Sequence, residues 1–230
     1  MVIEINGKKV FDTLEEIIEP RQTAIIVVDV QNDFCSEGGY FHKVLASDLS
    51  TINRMIPRLI RFIGEARDRG MMIVFIQNTR LRNHKSDSPS WLLQQMKLGG
   101  GVPQYTTEGT WGQDFVEGLQ PLEEEPIVKK FRWSAFVNTN LDRILRSNNI
   151  KSLVITGVVT EGCVESTVRD ASFHDYYVVV VRDCVASTDK ERHEASLRFI
   201  GWRWDVVNSN KIISVWKTRY KEELNHKETE

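Results

Sequence analysis

The segment Thr23-Ala24-Ile25-Ile26-Val27-Val28-Asp29-Val30 is apolar almost from end to end. A strand with one solvated face alternates polar and apolar residues, so a continuous run belongs inside a parallel sheet covered on both sides. Met71-Met72-Ile73-Val74-Phe75-Ile76, the run Leu153-Val154-Ile155-Thr156-Gly157, and Tyr176 to Val181 closed by Arg182-Asp183 share that character. Pro126 to Phe131 reads as a shorter strand, and Val206-Val207 with Ile212-Ile213 as a last one around a turn at Asn208-Ser209-Asn210. Between these runs the apolar spacing becomes helical. Ile52, Ile56, Leu59, Ile60 and Ile63 form one face of a helix stopped by Gly70, and Leu141 to Arg146 and Glu191 to Ile200 follow the same rule. The alternation has no repeat and no linker. It predicts one α/β domain over residues 1–230, a doubly wound, mostly parallel, six-stranded sheet with helices on both faces. Residues 1–21 are expected as an N-terminal extension over the surface, and 217–230 as a frayed charged tail.

Composition removes several classes of function. Thirty basic and thirty-two acidic residues give a net charge of -2 without a basic block, which argues against a nucleic-acid partner. No apolar run is long enough to span a membrane. Three cysteines, Cys35, Cys163 and Cys184, are too few and too odd for a disulfide scaffold and fit a reducing cytoplasm. Met1 to Pro20 lacks a signal-peptide layout, so the expected location is cytoplasmic.

The chemistry concentrates where strands end. After Leu153-Val154-Ile155-Thr156-Gly157 the chain continues Val158-Val159-Thr160-Glu161-Gly162-Cys163, with Cys163, Thr167 and Ala171 at helical spacing. This puts Cys163 near a helix N-terminus, where free N–H groups and the helix dipole favour a thiolate and could hold a carbonyl oxyanion. The other reading open to Cys163 is a small buried hydrophobe. Asp29 closes an apolar strand, at the end of the sheet where α/β proteins bind ligands, or serves as a turn residue. Gln77-Asn78-Thr79-Arg80 lies at the corresponding end of the next strand. Leu81 to Trp111 is a long irregular insertion holding Gly99-Gly100-Gly101, with a short helix at Trp91 to Met96, and such insertions commonly serve as lids or subunit contacts. His84 stands alone in it, with no second histidine at ligand spacing, so no metal site is expected.

Taken together, these stretches resemble the isochorismatase-like cysteine hydrolase family from about Thr23 to Trp216. The resemblance is carried by Ile25-Ile26-Val27-Val28-Asp29-Val30-Gln31-Asn32-Asp33-Phe34, by Lys130-Phe131-Arg132-Trp133-Ser134-Ala135-Phe136, and by Thr156-Gly157-Val158-Val159-Thr160-Glu161-Gly162-Cys163-Val164, in that order. It implies a catalytic triad of Asp29, Lys130 and Cys163. It also implies a non-proline cis peptide at Val158-Val159 that turns the Val159 N–H, with that of Cys163, into an oxyanion hole. Lys129 is the neighbouring alternative to Lys130; strand alternation faces the two in opposite directions, and the position before Phe131-Arg132-Trp133-Ser134 favours Lys130. The triad is chemically sufficient without histidine, since a lysine can stabilise a thiolate and a buried carboxylate can carry its proton.

Within the family, Cys163 argues against vinyl-ether cleavage of the isochorismatase type, which lacks the cysteine. The stretch Gln77 to His84 lacks the aspartate–histidine–histidine metal set of nicotinamidases, so neither metal nor other cofactor is expected. Asn138 to Ser147 and Cys163 to Asp170 resemble the ureido-amidohydrolase branch, which acts on ureidoacrylate, N-carbamoylsarcosine or biuret. The expected partner is a small amide or ureide, contacted by Gln31, Asn78 and Trp133, with Glu161 an added carboxylate beside the nucleophile. The alternatives are a nicotinamidase-like amidase, a non-catalytic binding or assembly protein that keeps the fold, and, ranked last, a redox role for Cys163. The family implies a homodimer or homotetramer, for which Trp91, Trp111, Trp202, Trp204 and Trp216 are candidate anchors.

Overall fold

A computed structural model of the chain describes residues 3–227. Its strands are β1 (Ile3–Ile5), β2 (Lys8–Val10), β3 (Thr23–Val28), β4 (Met72–Asn78), β5 (Ile127–Lys130), β6 (Ser152–Val158), β7 (Tyr177–Ala186) and β8 (Asp205–Val207). Its helices are α1 (Leu14–Ile17), α2 (Asn32–Cys35), α3 (Tyr40–Lys43), α4 (Ser50–Arg67), α5 (Pro89–Met96), α6 (Leu141–Ser147), α7 (Glu165–Phe173), α8 (Lys190–Gly201) and α9 (Ser209–Lys227). The main sheet has six strands in the order β5-β4-β3-β6-β7-β8, and every adjacent pair in it is parallel. From β3 the chain winds outward to β4 and β5, then returns to β6 on the other side of β3. The boundary between β3 and β6 is therefore the switch point of the sheet, and the carboxyl ends of strands there leave a crevice.

The continuous apolar runs fill both faces, as their pattern requires. All six residues of β3 are buried. Ile25 and Val27 pack with α4 and α9 residues on one face, while Ala24, Ile26 and Val28 pack with α6, α7 and α8 residues on the other. Among the described residues no helix is long and apolar enough to cross a membrane.

The structure corrects several boundaries. Arg182 and Asp183 do not close β7, which runs on to Ala186 after a register shift against β6. The irregularity lets Asp183 cap α9, accepting from both Ser209 N and Ser209 Oγ at 2.7 Å. Asn208-Ser209-Asn210 thus starts a helix instead of a hairpin, and Ile212, Ile213, Val215 and Trp216 form its buried stripe. That helix continues to Lys227, so the segment from 217 is not frayed at its start; residues 228–230 lie outside the described residues. Trp216 is 1% exposed, stacks on Phe62 and donates from Nε1 to Ile18 O, and is a core residue, not a surface anchor. At the other end, β1 and β2 form a separate exposed hairpin, but Ile17 and Ile18 belong to the core. Gly38-Gly39 leads straight into α3, with Gly39 at its N-cap and Tyr40 its first residue.

Gly157 allows β6 to approach β3 at the switch point. Its φ is +108°, and an added Cβ would stand 2.0 Å from Val28 O. The contact is with backbone in the sheet centre, which has no room to yield. Gly157→Ala is expected to destabilise the protein by more than about 3 kcal/mol, measured by urea unfolding. A loss below about 1 kcal/mol would show that the sheet adjusts there.

Candidate active site

Asp29 follows β3 directly, with φ +53°, a left-handed conformation that few non-glycine residues adopt. Its N–H donates to Ile76 O of β4 at 3.1 Å. This turns the carboxylate towards the end of β5, where Lys130 is the last residue. Alternation along β5 exposes Ile127 and Lys129 and buries Val128 and Lys130. Lys129 reaches outward to Glu108 at 2.8 Å. Lys130 Nζ, buried on all sides, lies 2.7 Å from Asp29 Oδ2. It also donates to Cys163 Sγ at 3.3 Å and to Arg132 O at 2.9 Å. The choice between the two lysines is thereby made by the pleat.

Cys163 sits in a wide turn over Thr160–Val164 that runs into α7. The preceding peptide, Val158-Val159, is cis. Val159 O accepts from Gly162 N at 3.1 Å and from Val164 N at 3.2 Å, and the Cys163 N–H is not one of these two donors. Thr167 Oγ1 donates to Cys163 O at 2.7 Å and accepts from Ala135 N at 3.1 Å, so the turn is tied to the segment after Lys130. Thr160 Oγ1 pairs with His193 Nδ1 at 2.8 Å, and Ser196 Oγ donates to Glu165 at 2.6 Å, which ties the same turn to α8.

Electrostatics couple the three side chains. Burial pushes the Cys163 thiol upward, the Asp29 charge adds to that, and Lys130 only partly offsets them. Proximity to the helix start and to lysine suggests from sequence a thiol that ionises easily; desolvation reverses the net direction. Burial likewise raises the Asp29 carboxyl, against the Lys130 charge. Burial opposes the Lys130 charge, yet the Asp29 and Cys163 anions together carry its pKa upward. The three groups therefore titrate as one coupled cluster.

A cavity of about 270 Å³ opens onto Asp29 and Cys163. Val159, Glu161, Asn78 and Trp133 also line it, beside aromatic and apolar walls. Trp133 packs edge-on against Trp91 of α5, which brings the insertion over the site. Asn78 Oδ1 accepts from Thr106 Oγ1 at 2.8 Å. Glu161 Oε1 accepts from Ser187 Oγ at 2.8 Å, and burial raises this carboxyl too. Gln31 is different and must be corrected. It is fully buried away from the cavity, and its amide is spent on backbone: Nε2 donates to Asn78 O at 2.9 Å and Gln113 O at 2.7 Å, and Oε1 accepts from Asn78 N at 2.8 Å. Gln31 clamps the strand ends and forms no part of the cavity wall. Sequence reasoning missed Gln95, Tyr105 and Arg192 on the wall; they lie in the irregular insertion and on α8, where no spacing marks them. His84 lies against Asp87 at 3.1 Å, and among the described residues no group of three or more His, Cys, Asp or Glu is placed to hold a metal ion.

Residues 23–209 match the isochorismatase domain, and the chain belongs to this family of hydrolases. The ureidoacrylate amidohydrolase RutB of Serratia proteamaculans (strain 568) is 35% identical over 201 residues, covering 81% of each chain. An isochorismatase-like hydrolase from Alkaliphilus metalliredigens superposes with a TM-score of 0.69 at 31% identity, covering 85% of this chain and 99% of the other. A pyrazinamidase of Pyrococcus horikoshii, solved in complex with zinc, gives 0.68 at 30% identity over 81% of this chain and 99% of its own.

The coupling has a signed consequence. Asp29→Asn removes a charge that raises the thiol pKa, and Lys130→Met removes one that lowers it. Thiolate formation, followed by ultraviolet absorbance, is expected to move about 1–3 pH units down in the first variant and up in the second. Shifts in the same direction would contradict the coupling.

Proposed function

We propose that this isochorismatase-family hydrolase cleaves a C–N bond of a small amide or ureide through a thioester on Cys163, without a metal. The observation that carries the reading is that Asp29 and Cys163 open onto one cavity while buried Lys130 contacts both of them from behind its wall. Asp29 takes the thiol proton as Sγ attacks the carbonyl carbon, and Lys130 balances the negative charge of the cluster. The carbonyl oxygen becomes an oxyanion held by the Val159 and Cys163 N–H groups. The C–N bond then breaks, Asp29 delivers its proton to the departing nitrogen, and ammonia leaves. Water, deprotonated by Asp29, attacks the thioester, and Cys163 departs and recovers the proton. Histidine is not needed at any step.

Asn78 and Trp133 fit as substrate contacts, one with an amide on the wall and one with a ring face. The 35% identity to a ureidoacrylate amidohydrolase favours a ureide over a simple amide. A second reading, a metal-assisted amidase of the nicotinamidase type, is favoured by the likeness to the zinc-bound pyrazinamidase. Chelation separates the two. Ammonia release from a panel of ureides and primary amides is expected to survive exhaustive EDTA treatment and to fall by at least about a thousandfold in Cys163→Ala. Activity lost to EDTA and restored by zinc would favour the second reading. Undiminished release from Cys163→Ala, or none from the unaltered protein, would overturn the first. We also infer a homodimer or homotetramer, for which Phe173 and Trp202 are the most exposed large apolar side chains among the described residues, with Trp111 exposed as well. A monomeric mass by light scattering would contradict it.

A further inference from the structure

The insertion carries an amide that the chemistry above does not use. Gln95, near the end of α5, is 3% exposed and forms part of the cavity wall. Its Oε1 accepts the Tyr105 O–H, and its Nε2 finds no acceptor among the described residues. A buried N–H₂ left unpaired is unfavourable, and a native structure that keeps one needs a reason for it. Asn78, on the wall of the same cavity, has its oxygen engaged in the same way: Oδ1 accepts from Thr106 Oγ1 at 2.8 Å.

Tyr105 and Thr106 are consecutive, so one short piece of the insertion orients both amides. Each hydroxyl occupies an amide oxygen, which leaves the N–H₂ as the donor end. Thr106 is itself fixed, since its N–H donates to Asp33 Oδ2 at 2.6 Å and its φ is +47°. The other oxygen of Asp33 accepts from Tyr40 N at 3.1 Å. The position of Thr106 is thus set through a carboxylate anchored just beyond β3.

We propose that Gln95 and Asn78 form a specificity site: two amide donors that hold an acceptor oxygen, carbonyl or carboxylate, carried by the substrate beyond its scissile group. The proposal rests on the amide-or-ureide reading of the cavity and narrows it to substrates with a second oxygen function. Trp133, Tyr105 and Phe34 wall the same cavity, and away from water a neutral N–H to oxygen bond discriminates more sharply. A site built on such bonds rejects an analogue lacking the oxygen, because its own donors are then left unpaired. Uncharged donors serve a carbonyl and a carboxylate alike.

Three ureides with the same carbamoyl head test this. N-carbamoylglycinamide ends in a carbonyl group, N-carbamoylglycine in a carboxylate, and n-propylurea in a methyl group. The unaltered enzyme is expected to favour at least one oxygen-bearing ureide over n-propylurea by about 100-fold in kcat/KM. Which of the two it favours identifies the oxygen. Gln95→Glu is isosteric and keeps the acceptor for Tyr105 O–H, but removes the donor. It is expected to reduce that preference at least about tenfold through KM, with kcat little changed. Equal losses on all three ureides, or an unchanged preference, would overturn the proposal. Calorimetric binding to Cys163→Ala and to Cys163→Ala with Gln95→Met reads the same preference without turnover and without a new charge. If no ureide is hydrolysed but Cys163→Ala still prefers the oxygen-bearing ligands, the catalytic reading fails and the specificity site stands. If ureides are hydrolysed and the Gln95 variants leave the preference intact, the specificity site fails and the catalytic reading stands.

Discussion

The buried ion pair between Lys130 and Asp29 is the constraint around which the sheet is arranged. Both side chains are essentially without solvent, at 0% and 1% exposure. Removing an ammonium and a carboxylate from water costs several kcal/mol each, and their attraction offsets this only at close range with further hydrogen bonds. The structure meets that demand at 2.7 Å, and the lysine finds its remaining acceptors in Cys163 Sγ and Arg132 O. Such a pair is weak evidence for stability. It is stronger evidence for a proton-handling site, because the same burial that makes it expensive raises both the carboxyl and the thiol.

Holding the pair requires three strand ends to meet. Asp29 comes from β3, Lys130 from β5 and Cys163 from the turn after β6, and β4 separates the first two. Gln31 solves part of this by clamping the backbone C=O and N–H of Asn78 with its side-chain amide, which fixes the end of β3 against that of β4. Gly157 solves another part, since only a residue without Cβ lets β6 pass so close to Val28. These residues act on the chemistry by setting backbone positions, and neither touches the cavity.

The outline of the sheet was legible because burial on both faces leaves a mark in composition: an uninterrupted apolar run is hard to place anywhere else. Lys130 was separable from Lys129 by the same logic of period two. The errors fell where the pattern is shared by different structures. Ile212-Ile213 looks like a strand pair, yet with Val215 and Trp216 it forms a helical stripe once Asp183 caps Ser209. Gln31 looked like a ligand contact because amides at strand ends suit either ligands or backbone, and sequence does not say which will arrive first. The thiol shift was misjudged for a physical reason: the charges that favour ionisation are visible in sequence, whereas desolvation depends on packing density that only three dimensions supply.

The insertion shows where sequence reading stops. Its irregularity sets it apart in the sequence, but its contributions to the cavity wall come from separate points whose relation is set by tertiary contacts. Trp91 packs on Trp133, Arg132 Nη1 donates to Ser86 O, and Thr106 N–H donates to Asp33. Each contact joins the insertion to a segment that also carries or flanks a member of the buried cluster: Trp133 and Arg132 follow Lys130, and Asp33 follows Asp29. The insertion and the cluster therefore share supports. A change in the insertion that alters Asp33 or Arg132 would reach the ion pair through the backbone, so the cavity wall and the buried cluster are mechanically joined even though different residues form them.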